Sequence, residues 1–157
     1  MEKFSLGVAK AIAIKAHEGQ LDHSGEPYIN HPSAVMNFVQ DPDAKMVAIL
    51  HDVVEDSEMS FNDLQNLGCP LIIIEALRLV THPPDFDHTE DTYMREIQKI
   101  ADSKNQLAID VKFADLTHNS DLSRLPHPSE RDMQRWRKYQ KAKEILKPII
   151  SDYLHNI

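Results

Sequence analysis

The sequence predicts an all-helical protein of one domain, and three observations carry that expectation. Only four glycines and 6% aromatic residues are present, and no apolar/polar alternation bounded by turns is sustained, which argues against a sandwich or barrel of many short strands. The 157 residues, 41% of them apolar, suffice for one buried core and are few for two. From Phe4 to Gly19, apolar Phe4, Val8, Ile12 and Ala16 recur at helical spacing.

That first helix gives way to "GQLDHSGEPYI", where Gly19, Gly25 and Pro27 mark a loop. "HPSAVMNFV" reads as a short second helix with Pro32 in its first turn. Asp41 caps a third, with Pro42 at its first position, expected to run unbroken to about Asp56. Ser60 and Asp63 form a capping signal for a fourth that ends near Gly68. Pro70 begins a fifth, apolar enough to be central, which stops before Pro83 and Pro84. A sixth starts near Thr89. "NQLAIDVKFADLTHN" carries Leu107, Val111 and Ala114 on one face, with Ala108 beside them, and is expected to be a buried seventh helix. "LPHPSE" interrupts the pattern, and Ser129 opens a long last helix to about Tyr153, with Pro148 as a point of kinking.

Composition narrows the functional classes. A formal net charge of −8 disfavours general nucleic-acid binding, which needs a basic face, but leaves room for a small anionic substrate beside a bound cation. No stretch approaches the roughly 18 apolar residues of a membrane span, and the N-terminal segment has no small-residue cleavage site after its apolar part. One cysteine, Cys69, suits a reducing compartment. Placed between Gly68 and Pro70, it reads as a packing residue. A cytoplasmic protein is therefore expected, with a homo-oligomer permitted by the acidic surface and the apolar fifth helix.

"AILHDVVEDSE", residues 48 to 58, concentrates polar groups on a greasy stretch. In a continuous helix His51 lies above Glu55 and Asp52 above Asp56, and the like-charged second pair weakens the helix by a few tenths of a kcal/mol. A cation offsets that cost. Metal-type ligands stand in three separated segments: His31 in "YINHP", the adjacent His51 and Asp52, and Asp115 in "VKFADLTHN". Imidazole and carboxylate without thiolate favour a hard or borderline divalent ion such as Mn²⁺, Mg²⁺, Fe²⁺ or Zn²⁺. Glu55 and Asp56, one turn on, are carboxylates placed to take a proton from water. Each feature alone has a plainer reading. A His-Asp dipeptide is usually a surface or capping pair, and Glu55 with Asp56 a solvated helix end. Asn119 can cap a helix C-terminus, and Lys112 can pair with Asp115 at i, i+3. His17, His23, His82, His88, His127 and His155 read as surface or hydrogen-bonded residues, and Trp136 and Tyr139 as packing residues.

Taken together, "AHEGQ", "SGEPYINHP", "LHDVVEDSEMSFNDL" and "VKFADLTHN", in that order, resemble the HD-superfamily hydrolase domain of RelA/SpoT-type alarmone enzymes and their small stand-alone relatives. The resemblance runs from about Ala9 to Leu125. It implies an all-α bundle with a metal between helices and removal of the 3′-diphosphate of ppGpp, releasing pyrophosphate. It implies that His31, His51, Asp52 and Asp115 hold one Mn²⁺, and that Glu55 and Asp56 act in water activation and proton transfer. Ser24, Lys112 and Asn119 match positions near the nucleotide, and Arg124 is a further substrate-binding candidate that offsets phosphate charge. The chain departs from the family pattern at Asp22 and His23, where basic residues are usual, and at Leu116, where one is common. Those departures keep open another substrate, a nucleoside monophosphate or other phosphorylated metabolite, and a nucleotide-sensing module without turnover.

Overall fold

The computed structural model describes residues 3–157. Among them there is no strand. Leu21 and Pro27 form one isolated antiparallel bridge at the neck of the loop after the first helix.

Local chemistry fixes most helix starts. Ser5, Asp41, Ser60, Thr89, Asn105 and Ser129 each accept a backbone N–H of the first turn of α1 (Leu6–Ala16), α3 (Pro42–Leu50), α5 (Phe61–Asn66), α7 (Glu90–Asp102), α8 (Gln106–Asn119) and α9 (Glu130–Leu146), respectively. Ser60 with Asp63 and Ser129 with Asp132 complete reciprocal capping boxes. α2 (Asn30–Phe38) and α6 (Leu71–Val80) start without a side-chain cap, α6 directly after Pro70.

The third helix is not continuous to Asp56. α3 ends at Leu50, and α4 (Val53–Asp56) restarts after Asp52, whose φ of −107° and ψ of 0° are not helical. His51 and Glu55 therefore do not stack along one helix face. The last helix ends at Leu146 rather than near Tyr153. Pro148 lies in a 3₁₀ turn, Lys147–Ile149, and a second such turn, Asp152–Asn156, closes the chain. Proline lacks the N–H an α-helix needs at that position, so the rod breaks there instead of bending.

Two helices organise the packing. α3 packs against α1, α2, α6 and α8, and α8 against α2, α3, α6, α7 and α9. Burial of α8 exceeds the one-faced expectation. Every residue from Ala108 to Leu116 is buried, including Asp110, Lys112 and Asp115. α6 is less central than its composition implies, since Leu71 and Ile72 at its start are exposed while Ile73, Ile74, Ala76, Leu77 and Val80 enter the core. No helix of the described residues is long and apolar enough to cross a membrane.

Buried charges on α8 must be satisfied within the protein. Asp110 is bonded by Gln106 Nε2 (2.8 Å) and the Ser151 backbone N–H (2.9 Å) at Oδ1, and by the Ser151 hydroxyl at Oδ2 (2.5 Å), which ties the C-terminal segment to the central helix. Cys69 is 4% exposed, and burial pushes its thiol up to about 11. Two outcomes follow. Asp110→Ala should lower unfolding free energy by about 2–3 kcal/mol, since it strands the Ser151 donors in a protein interior, read as a lower urea midpoint at unchanged slope. Cys69 should react with a disulfide reagent at pH 8 only when denaturant is added; fast labelling of the folded protein contradicts its burial.

Candidate metal centre

α2, α3 and α8 pack mutually, and His31, His51, Asp52 and Asp115 converge where they meet. His31 is the second residue of α2, His51 and Asp52 fill the break between α3 and α4, and Asp115 projects from the C-terminal half of α8. The break matters to the geometry. Adjacent residues of a helix point about 100° apart, whereas the turn brings His51 Nε2 within 3.0 Å of Asp52 Oδ2. His31 Nε2 lies 2.8 Å from Asp115 Oδ1 and 4.0 Å from Asp52 Oδ2, and His51 Nε2 lies 3.3 Å from Asp115 Oδ1.

The donor atoms of His31, His51 and Asp52 all lie within 4.8 Å of one another, which suits one cation, and Asp115 stands against both imidazoles. Oxygen and nitrogen ligands at about 2.1 Å from an ion sit roughly 3 Å apart at neighbouring corners of an octahedron and roughly 4 Å apart across it. The ring orientations agree. His51 Nδ1 lies 2.6 Å from the Ala48 carbonyl, which can only accept, so Nδ1 carries the proton. Nε2, facing the cluster, is fully buried and makes no hydrogen bond. His31 Nδ1 lies 2.7 Å from His118 Nδ1. Burial first, then the neighbouring His31 and Arg124, push His118 down to about 4. Both histidines present Nε2 inward with the other ring nitrogen bonded behind, His31 to His118 and His51 to the Ala48 carbonyl, the arrangement of metal-ligating imidazoles. The donor set, two imidazoles and two carboxylates, fits a hard or borderline divalent ion.

The local field has the matching sign. Burial pulls the His51 pKa down, but the Asp52 and Asp115 carboxylates outweigh it and hold the ring well above the usual histidine value. Burial raises Asp115, and the Lys112 ammonium with the two imidazoles reverses this, keeping its carboxyl well below the usual range. A site that stabilises imidazolium this strongly also attracts a metal cation.

Neighbouring groups hold the four side chains. Lys112 Nζ donates to Asp115 Oδ2 (2.9 Å), and Asn119 Nδ2 donates to Asp115 Oδ1 (3.1 Å). Both therefore orient Asp115 as well as lining its cavity. The Tyr28 hydroxyl donates to Asp52 Oδ2 (2.5 Å), and its ring packs on His17 with centroids 5.1 Å apart. Buried His17 bonds through Nδ1 to Gln20 Oε1 (2.8 Å), and Gln20 Nε2 donates to the Asp56 carbonyl (2.8 Å), pinning the end of α4.

Glu55 lines the same cavity of about 170 Å³ as the four donors. Its Oε1 accepts the His82 backbone N–H (2.8 Å) from the loop after α6. Desolvation, opposed by that bond and reinforced by the Asp52 and Asp56 charges, raises its carboxyl to about 7. Asp56 lines the adjoining cavity on the far side of Glu55, not that of the donors; burial and Asp52 raise its pKa too. Ser24 and Arg124 stand on a cavity of about 320 Å³ that shares Tyr28, His31, Asn119 and Tyr139 with the donor cavity. The Ser24 hydroxyl bonds Asp22 Oδ1 (2.9 Å), while Arg124 donates to the His118 carbonyl (3.0 Å) and faces Asp22 at 3.6 Å.

Several residues at the site were not legible as functional in the sequence. Tyr28, His118, Tyr93 and Gln20 carry no spacing signal of their own, although Gln20, Tyr28 and His118 lie in the motif segments. His82, read as surface or hydrogen-bonded, lines the donor cavity, with Phe86 stacked on it at 4.0 Å. Trp136 and Tyr139, read as packing residues, both line the 320 Å³ cavity.

No protein-family model matches the chain. It is 34% identical over 115 residues to a guanosine-3′,5′-bis(diphosphate) 3′-pyrophosphohydrolase of Haemophilus influenzae, covering 69% of this chain and 17% of that protein. It is 30% identical over 144 residues to a GTP pyrophosphokinase of Streptomyces coelicolor, covering 88% of this chain and 16% of the relative. The chain thus spans less than a fifth of these curated relatives. A solved structure, described as a metazoan ortholog of SpoT that hydrolyzes ppGpp, superposes with a TM-score of 0.81 at 26% identity, covering 99% of this chain and 92% of that one. The sequence motifs, the helical fold and these similarities make this chain an HD-type, RelA/SpoT hydrolase-like protein.

Proposed function

We propose that the protein is a Mn²⁺-dependent phosphohydrolase that removes the 3′-diphosphate of ppGpp, giving GDP and pyrophosphate. The observation that carries this reading is the four-donor cluster with Glu55 in the same cavity, opening onto a second cavity of about 320 Å³. Relatives named for ppGpp 3′-pyrophosphohydrolysis support the substrate.

In this reading His31, His51, Asp52 and Asp115 hold the ion, which supplies Lewis acidity when bound. Glu55 accepts the proton of the attacking water. Its raised pKa makes it a stronger base than an ordinary carboxylate. The water oxygen bonds to the phosphorus attached to O3′, the P–O3′ bond breaks, and O3′ is protonated as GDP leaves. Asp56, beyond Glu55, receives or returns protons at the solvent side. Lys112 and Asn119 keep Asp115 oriented while facing the diphosphate from the cavity wall, and Ser24 and Arg124 line the nucleoside end.

Protein stripped of metal and reloaded with Mn²⁺ should convert ppGpp to GDP and pyrophosphate. Turnover of another nucleotide with ppGpp inert overturns the substrate, and tight nucleotide binding without any turnover overturns the enzyme reading. Asp52→Ala should lose bound metal and activity together, by at least about a hundredfold in kcat; full activity with full metal content sinks the proposed centre. Glu55→Gln should keep its metal content and lose about 10²–10⁴-fold in kcat. Because a base acts only when deprotonated, the wild-type rate should fall toward acid pH, with its limb above the ordinary glutamate range. That limb should be missing from the residual activity of Glu55→Gln.

A further inference from the structure

Glu55 stands between two cavities. It lines the donor cavity and also a larger one, about 670 Å³, on its other side, bounded in part by Arg78 of α6 and Lys99 of α7. A glutamate side chain turns about three bonds, and the four-residue α4 that carries it is no rigid base. Its carboxylate therefore faces the donors only if something outside α4 keeps it there. Among the described residues a single protein hydrogen bond reaches that carboxylate, from the His82 backbone N–H to Oε1 (2.8 Å).

The loop that presents this N–H, residues 81–89, is tied at every step. Thr81 ends α6 in extended backbone, with its hydroxyl donating to the Leu77 carbonyl (2.6 Å). Pro83 disfavours helical backbone at His82. The Phe86 N–H donates to the Pro83 carbonyl (3.0 Å), and that turn brings the Phe86 ring flat against the His82 ring, centroids 4.0 Å apart and planes within 16°. Phe86 is the one buried residue of the loop, while Pro83, Pro84 and Asp85 before it are exposed. After it, His88 stands edge-on to the same ring at 4.9 Å with a φ of 58°, a left-handed conformation uncommon outside glycine. Asp87 Oδ1 accepts both the N–H and the hydroxyl of Thr89 (3.0 Å each), which starts α7. The loop is thus anchored to the core through Phe86, and Phe86 is stacked on the residue whose N–H holds Glu55.

We propose that Phe86 is a positioning residue for the reaction: its ring clamps His82, and the clamped His82 backbone N–H keeps the Glu55 carboxylate at the donor cavity instead of the 670 Å³ cavity behind it. This role rests on Glu55 acting as the base. A base must come within about 2.6–3.2 Å of the water whose proton it takes, and a displacement of about 1 Å costs up to about a hundredfold in rate. Holding Oε1 from outside the short helix leaves Oε2 for that water.

The test is a mutant cycle on the Mn²⁺-loaded full chain with ppGpp. Phe86→Ala should lower kcat by about 10- to 100-fold, with KM and bound Mn²⁺ unchanged. Phe86→Leu, which fills most of the volume but offers no flat face, should recover thermal stability and not the rate. In the Glu55→Gln background Phe86→Ala should cost nothing further, because the group it positions is already gone. An unchanged kcat, a loss that falls in KM or metal content, a full rate in Phe86→Leu, or an equal loss in both backgrounds overturns the role. The His82 amide proton, followed by NMR on Mg²⁺-loaded protein to avoid the broadening caused by Mn²⁺, separates this from failure of the hydrolase reading. In the wild type it should be protected from hydrogen exchange, and both Glu55→Ala and Phe86→Ala should remove the protection. If no nucleotide is hydrolysed, loss of protection in both variants still upholds the clamp on Glu55, and a His82 amide indifferent to Phe86→Ala rejects it.

Discussion

Asp115 is a carboxylate buried in the most enclosed helix of the protein, and keeping it charged there constrains everything around it. An unpaired carboxylate in such a place would protonate or unfold its surroundings. Here one oxygen takes Lys112 and the other is shared by His31, Asn119 and the neighbourhood of His51. Those partners come from α2, from α8 itself and from the end of α3, so satisfying one charge fixes how three helices meet. The arrangement that answers the desolvation problem is the one that forms the candidate metal centre.

The break between α3 and α4 is the second requirement. A continuous helix gives more backbone hydrogen bonds and spreads His51 and Asp52 to different faces. Interrupting it costs local helix energy but turns both side chains toward Asp115, and restarting at Val53 sets Glu55 at the rim. Tertiary bonds hold this short α4 in place. Gln20 grips the Asp56 carbonyl from the end of the first loop, and the His82 N–H grips Glu55 from the loop after α6. A four-residue helix is not stable by itself, so the position of Glu55 depends on contacts from outside the segment.

The site is graded from inside to outside. At the centre are buried imidazoles and carboxylates, around them neutral or tied groups such as His118 and Tyr28, and at the mouth aromatic and basic side chains from α9. α9 joins this series because it packs across α7 and α8. Its Trp136 and Tyr139 line the 320 Å³ cavity, so a helix that looks merely amphipathic supplies part of that wall.

Sequence alone determined the helical class, nearly every helix start and the four side chains that converge between α2, α3 and α8, because capping serines, threonines and aspartates act within three residues and the motif segments single out His31, His51, Asp52 and Asp115. It also pointed to the family. It did not determine the break at His51 and Asp52, the end of the last helix at Pro148, or the burial of α8 on all sides, since each is settled by what packs against the segment. Tyr28, His82, His118 and the α9 aromatics were decided only by the tertiary structure. The contacts that bring them to the site span long stretches of chain, 24 residues from Tyr28 to Asp52, 27 from Glu55 to His82 and 87 from His31 to His118, and no local pattern encodes a contact at that distance.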